Sequence, residues 1–211
     1  MKRLLHLFIS ASIFISLFGC AYGTDYVKVE RYSASSADEK PGQDLEVYVL
    51  KAEDNRSQPE YVGKKAAGYV ALESGINLAK IMTDSVSDSL ESYGYIVKRV
   101  ENTDSIQSGA KVLNTSIDEF WTDFVPGYWS VDASSRMRVS FELVEKGTDR
   151  VVWKKKIGKG AKASSAMGAT PSLFEESLND VYKQTLDTFH EAAGSPEFKN
   201  GMTKKSVAYT E

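Results

Sequence analysis

Leu78, Met82, Val86 and Leu90 recur at every fourth position, while Asp84, Asp88 and Glu91 fall off that stripe. The spacing predicts an amphipathic helix, with Ser74 or Asn77 available as its cap and Tyr93-Gly94 as its stop. A second stripe, Phe174, Leu178, Tyr182, Leu186, Phe189 and Ala193, widened by Val181, follows the capping-box pattern Ser172-Leu173-Phe174-Glu175 and ends at Gly194 and Pro196. Between the two helices the period drops to two. Trp129, Val131, Ala133, Met137, Val139, Phe141 and Leu143 share one parity, and Ser130, Asp132, Arg136, Arg138, Ser140 and Glu142 share the other, so this strand has a dry face and a wet one.

Other segments complete the pattern. Leu45 to Leu50 is rich in β-formers and reads as a strand buried on much of both faces; Tyr61 to Leu72 reads as one or two short strands, and Tyr95 to Val100 as another, directly after the first helix. Strand, helix, strand suggests a crossover between parallel neighbours. Ala110 to Val125 precedes the Pro126-Gly127 turn, and Val151, Trp153 and Ile157 alternate with Val152, Lys154 and Lys156 after the turn at residues 145–150. Gly158 to Thr170 reads as a small-residue loop. The resulting fold is α+β, a two-layer sandwich in which a mostly antiparallel sheet of about four to six strands carries two amphipathic helices on one face and extends a long aromatic hairpin.

That hairpin holds five aromatic rings between Phe120 and Trp129, around the Pro-Gly step. Two readings stand. The rings close off the end of the core, or they form a contact surface beyond the reach of the helices. Parity places Trp129 with the core and Tyr128 on the wet side. Leu113, Ile117 and Trp121 share a parity that Phe120 and Phe124 oppose, so burying all of them requires a bulge near Asp118-Glu119. At least two of the five rings are therefore expected on the wet side, and the candidate interaction surface is Phe124 and Tyr128, joined by Phe120.

The start of the chain changes the picture. Lys2 and Arg3 precede an apolar run from Leu4 to Phe18, which is the layout of an export signal over residues 1–19. The one cysteine, Cys20, closes Leu17-Phe18-Gly19-Cys20, which resembles the bacterial lipobox and implies acylation of Cys20. An uncleaved anchor is the alternative, but the run is short for a membrane span. Loss of the two cations with the signal takes the formal charge from -3 to -5, so attraction to anionic headgroups does not hold the protein to a bilayer and the acyl chains must. Residues 20–43 read as the lipidated cysteine and a polar, flexible tether, residues 44–195 as one periplasmic domain, and residues 196–211 as a loose tail.

Candidate chemistry is sparse. After acylation no thiol is left, and the mature chain holds one histidine, His190, whose place near a helix C-terminus suits an imidazolium. No metal site and no cofactor is expected. Asp118, Glu119 and Asp123 cluster on one strand, a spacing compatible with paired acids but ordinarily a solvated edge. Gly158-Lys159-Gly160 lacks the Gly-Lys-Ser/Thr continuation of a phosphate loop. The balanced charge gives no reason to expect nucleic acid.

The order of lipobox, tether, strand, helix ending Ser92-Tyr93-Gly94-Tyr95-Ile96-Val97, long hairpin, small-residue loop and final helix resembles the YajG-like family of bacterial lipoproteins. The resemblance implies an outer-membrane lipoprotein facing the periplasm of a Gram-negative bacterium, with no enzymatic activity, and transfers one functional residue, Cys20. The expected function is therefore that of a non-enzymatic interaction or structural module of the cell envelope, attached to the membrane through Cys20 and docking on an envelope protein or on itself. The alternative is a transport accessory that carries a lipid or glycan between sheet and helices.

Overall fold

The backbone is organised around one long strand. A computed structural model describes residues 22–166 and 168–204; Cys20 and the signal lie outside them. In chain order the elements are β1 (Tyr22–Val27), β2 (Glu46–Leu50), β3 (Glu53–Asp54), β4 (Gly63–Lys65), β5 (Ala67–Leu72), α1 (Leu78–Ser92), β6 (Ile96–Val100), β7 (Lys111–Pro126), β8 (Val131–Glu145), β9 (Arg150–Ser165), α2 (Pro171–Ala193) and α3 (Pro196–Thr203).

β7, β8 and β9 form an antiparallel meander, each fifteen or sixteen residues long. Along the other edge of β7 lie β2, β3 and β4 in succession, all parallel to it, through Tyr48↔Val112, Glu53↔Ser116 and Gly63↔Thr122. β6 extends the sheet beyond β2, and β5 and then β1 extend it beyond β4. The fold is thus α+β with an open, mixed sheet of nine strands and, among the described residues, three helices. This corrects the expectation of four to six mostly antiparallel strands: β7 is long enough to pair with three short strands in turn, and that parallel pairing has no local sequence signature.

β2 and β6 are parallel neighbours, as the strand-helix-strand pattern predicts. On β2, Val47 and Val49 are fully buried while Glu46 is exposed and Tyr48 half-buried, so this strand is dry on one face rather than both. The helix stripes behave as their period requires. Asn77 caps α1 by accepting a hydrogen bond from the Lys80 amide, and Met82, Val86 and Leu90 are completely buried. On α2, Phe174, Leu178, Leu186 and Phe189 are likewise at 0% exposure. They pack on the dry face of the meander, where Phe189 stacks on Phe141 at 4.4 Å between ring centroids and Tyr182 meets Phe120 edge-on at 6.3 Å. α2 begins two residues earlier than the capping box suggests. Thr170 is its N-cap and Pro171 its first residue; the Ser172 hydroxyl pairs with that of Thr170, and the Glu175 carboxylate accepts from the Lys28 amide instead.

Two segments expected to be loose are folded. The stretch read as a tether holds β1, whose Val27 enters the core, and, after it, an extended strap along α2 in which Val29 and Tyr32 do the same. Glu175 and Asn179 accept from the amides of Lys28 and Glu30, and the Asn179 amide donates to the Lys28 carbonyl, so helix side chains satisfy the strap's backbone. The start of the expected tail is α3, whose Phe198 is fully buried edge-on against Trp153 and Tyr95. Residues beyond 204 lie outside the described part. The expected loop from Gly158 is also strand: β9 continues to Ser165 because its small residues pair with β8 across the whole meander.

Candidate functional site

The aromatic stretch divides at a β-bulge. Ile117 pairs with Val139 and Glu119 with Arg138, which leaves Asp118 as the extra residue. Beyond it the parity reverses, so Phe120 turns inward to 1% exposure, Thr122 follows at 0%, and Phe124 is half-buried against the core. Phe120 is therefore core and not surface, and Phe124 is at most part of a rim. Trp121 faces the wet side, half-buried, donating from its Nε1 to Asp123 at 2.9 Å.

At the tip, Pro126 pairs with Val131 and the Gly127 amide donates to the Ser130 carbonyl at 2.8 Å. Tyr128 and Trp129 stand in the loop between, 88% and 83% exposed, and touch each other edge-on at 4.7 Å. Tyr128 is where parity puts it. Trp129 is not, because β8 starts only at Val131 and parity has no meaning in the loop ahead of it. Of the candidate surface Phe120, Phe124 and Tyr128, only Tyr128 is fully exposed, and Trp129 joins it.

The wet face behind the bulge is an ion-pair ladder. Glu119 receives Arg136 Nε and an Arg138 guanidinium nitrogen, both at 3.0 Å; Asp123 receives Arg136 at 2.8 Å; Asp118 accepts from the hydroxyls of Ser116 and Ser140 and lies 3.7 Å from Lys156. The hydrogen bond to Glu119, ahead of that to Asp123, drives Arg136 still further toward its charged form. Trp121, Arg136, Arg56, Gln58 and Glu119 line an open groove of about 330 Å³ over this ladder. Arg56 is pinned in turn by Asp54 at 2.7 Å and by the Tyr61 and Pro59 carbonyls, both at 2.8 Å.

His190 is buried, with its ring 4.6 Å from that of Tyr93. Its Nδ1 has no hydrogen-bond partner, and burial lowers its pKa despite the opposing charges of Asp187 and Glu191. It is a packing residue near the end of α2, where burial opposes the imidazolium that the helix dipole favours. Among the described residues no group of three or more His, Cys, Asp or Glu is placed to hold a metal ion, and no helix is long and apolar enough to cross a membrane. The layer between sheet and helices is filled by side chains such as Phe120, Phe141, Leu178 and Phe189, and the groove beside Trp121 lies outside it.

The sequence matches no family model and no curated protein. Solved structures do share the fold. A protein described as a neuraminyllactose-binding hemagglutinin homolog from Helicobacter pylori matches with a TM-score of 0.60 at 12% identity, over 83% of this chain and 97% of that one. The Xanthomonas campestris protein XCC0632, of family model DUF330, matches with a TM-score of 0.53 at 15% identity, over 84% of this chain and 95% of that one. A lipoprotein from Neisseria meningitidis, GNA1162, matches more loosely, at 12% identity and a TM-score of 0.37, over 68% of this chain and 99% of that one. What this chain has in common with the first two is the arrangement of sheet and helices.

Proposed function

We propose that this chain is a lipid-anchored protein of the Gram-negative envelope, held through acylated Cys20 in the periplasm-facing leaflet of the outer membrane, and that it works by binding rather than by catalysis. One observation carries the binding half of this reading. The acidic cluster with the spacing of a catalytic pair is closed into a cross-strand ladder by Arg136 and Arg138, and what that ladder presents outward is a groove with an indole and two guanidinium groups. A half-buried tryptophan and arginines in one concave surface are the groups most enriched where proteins dock. The partner proposed is an envelope protein, or a second copy of this chain, seated on the wet face over Trp121.

A glycan is the second reading. The groove's chemistry suits it, a flat indole flanked by charged and amide hydrogen-bonding groups, and the hemagglutinin homolog is named for a glycan ligand. The proposed occupant is then a surface ligand of the wet face, since the sheet-helix layer is packed.

A photoreactive amino acid at position 121 in living cells, followed by identification of the adduct, tests both. The expected result is one dominant protein adduct whose yield falls at least severalfold with Arg136→Ala; a glycan adduct of the same dependence selects the second reading. Adduct formation indifferent to Arg136→Ala, or none, overturns binding at this groove. Cys20→Ser tests the anchor separately, with loss of incorporated palmitate and of membrane association expected.

A further inference from the structure

We propose that the tip of the β7–β8 hairpin is a bilayer-docking surface: the end of the sheet that carries Val125, Tyr128 and Trp129 faces the membrane to which Cys20 is attached, and seats those side chains in its interfacial layer. This rests on the lipidation of Cys20 proposed above.

Strand register supplies the first argument. β1 starts at Tyr22, opposite Ala67 of β5. Ala67 comes two residues after Lys65, which already pairs with Gly68, so it sits at the β4–β5 turn. β4 runs parallel to β7 with Lys64 opposite Asp123, which puts that turn level with Phe124 and Val125. Cys20 precedes Tyr22 by two residues, or at most about 7 Å of chain. The hairpin tip extends roughly 10 Å beyond Val125 in the same direction, and β1 lies three strand positions from β7, about 14 Å to the side. Lipid attachment and aromatic tip therefore leave the protein at one end and close together.

Charge supplies the second. The described segments that meet at this end, residues 22–24, 66–70, 124–131, 163–166 and 168–174, contain no Asp, Glu, Lys, Arg or His. The nearest charges include two ion pairs, Lys65 with Asp25 and Lys162 with Asp132, each at 2.7 Å. The opposite end, about 50 Å away along β7, carries Asp44, Glu46, Lys146, Asp149, Arg150 and Lys204. Tyr128 and Trp129 are the most exposed large apolar side chains described, with Val125 beside them at 42%. Their rings are amphipathic, the kind that settles at headgroup level. A protein partner is the weaker match, because a stable protein interface needs a polar rim and a larger area than three side chains offer.

Acyl chains alone fix a point on the membrane and leave orientation free. A tip seated beside them adds a second contact, so the sheet stands away from the bilayer and its charged end projects into the aqueous space.

The test uses the acylated full chain in phosphatidylethanolamine/phosphatidylglycerol vesicles whose acyl chains are brominated, read by quenching of tryptophan emission. Quenching is expected in the wild type and in Trp121→Phe and Trp153→Phe, and expected to be mostly lost in Trp129→Phe. Vesicle-bound protein with no quenching, or quenching indifferent to Trp129→Phe, overturns the proposal. Failure of the chain to float with vesicles overturns the lipidation reading instead, and the tip is then decided with the chain from Ala21 onward, which contains the whole described fold. At millimolar lipid, its partition into the same vesicles should fall severalfold in the Tyr128→Ser, Trp129→Ser double variant. Equal partition of the two, or concentration-dependent self-association through the tip without lipid, overturns the proposal.

Discussion

His190 shows how one side chain's surroundings decide its charge. Tyr93 packs on its ring, Asp187 and Glu191 on its own helix favour protonation, and desolvation outweighs both carboxylates, so the folded-state pKa lies below the ordinary 6.5. The folded protein binds this proton less readily than the unfolded chain does. Stability attached to His190 is therefore complete above about pH 6.5 and declines as pH falls below it, until the folded-state pKa is passed. His190→Phe keeps a ring against Tyr93 and removes the titration. The variant's melting temperature should gain on the wild type's steadily between pH 7 and pH 5, with a constant difference above pH 7; parallel curves across the whole range would reject the assignment.

At the scale of elements, the bulge at Asp118 decides which face of β7 is dry. Leu113, Thr115 and Ile117 are buried before it, and Phe120 and Thr122 after it, so the bulge absorbs one extra residue and keeps the inward set continuous. Deleting Asp118 would make Ile117, Glu119 and Phe120 consecutive, with Glu119 still opposite Arg138 and Phe120 still opposite Met137, so the bulge would vanish without any side chain changing face. Cooperative thermal unfolding is expected to survive this deletion, and Asp118→Asn, whose amide can accept from one of Ser116 and Ser140 and donate to the other, should unfold within about 1 kcal/mol of the wild type, whereas deleting Asp118 and Glu119 together sets Phe120 opposite Arg138 on the wet face and should abolish cooperative unfolding. A single deletion that abolished cooperative unfolding, or a double deletion as stable as the wild type, would reject this account of the register. The conflict of Phe120 and Phe124 with Ile117 is legible in the sequence, but exposing those rings, as expected, meets it as well as a bulge does, and only the structure decides for the bulge; both long helices are legible because their burial repeats within one element. β1 and α3 are not legible. Tyr22–Val27 includes Gly23, Thr24 and Asp25 and folds through main-chain pairing with a strand forty-five residues later, and α3 offers only Phe198 and Met202 as large buried anchors. Trp129 is misplaced by the sequence for a related reason: parity extrapolated past the strand's first residue gives no information about a loop.

For the whole molecule, an open sheet leaves edges, and the longest described is β9, sixteen residues that pair with β8 alone. A flat strand of that length is a template for a second copy, and lipid anchoring of many copies in one leaflet would raise their local concentration. The strand's composition counters this. Lys155 and Lys159 share the parity of Trp153, Ile157, Ala161 and Ala163, so they place charge on the helix-facing side of an edge, where any added strand would have to bury it. Lys154 and Lys162 serve differently, as partners of Glu142 and Asp132 on the wet face. Replacing Lys155 and Lys159 together by valine makes one uninterrupted apolar edge from Trp153 to Ala163. The monomer's own stability should change little, since neither lysine has a resolved ion pair, but dimers and larger species should appear by light scattering at concentrations where the wild type is monomeric. Lys154→Gln with Lys162→Gln, which removes equal charge from the wet parity, should not produce them. If both double variants stay monomeric the edge is protected by something other than inward charge, and if both associate, net charge rather than its direction is what keeps the copies apart.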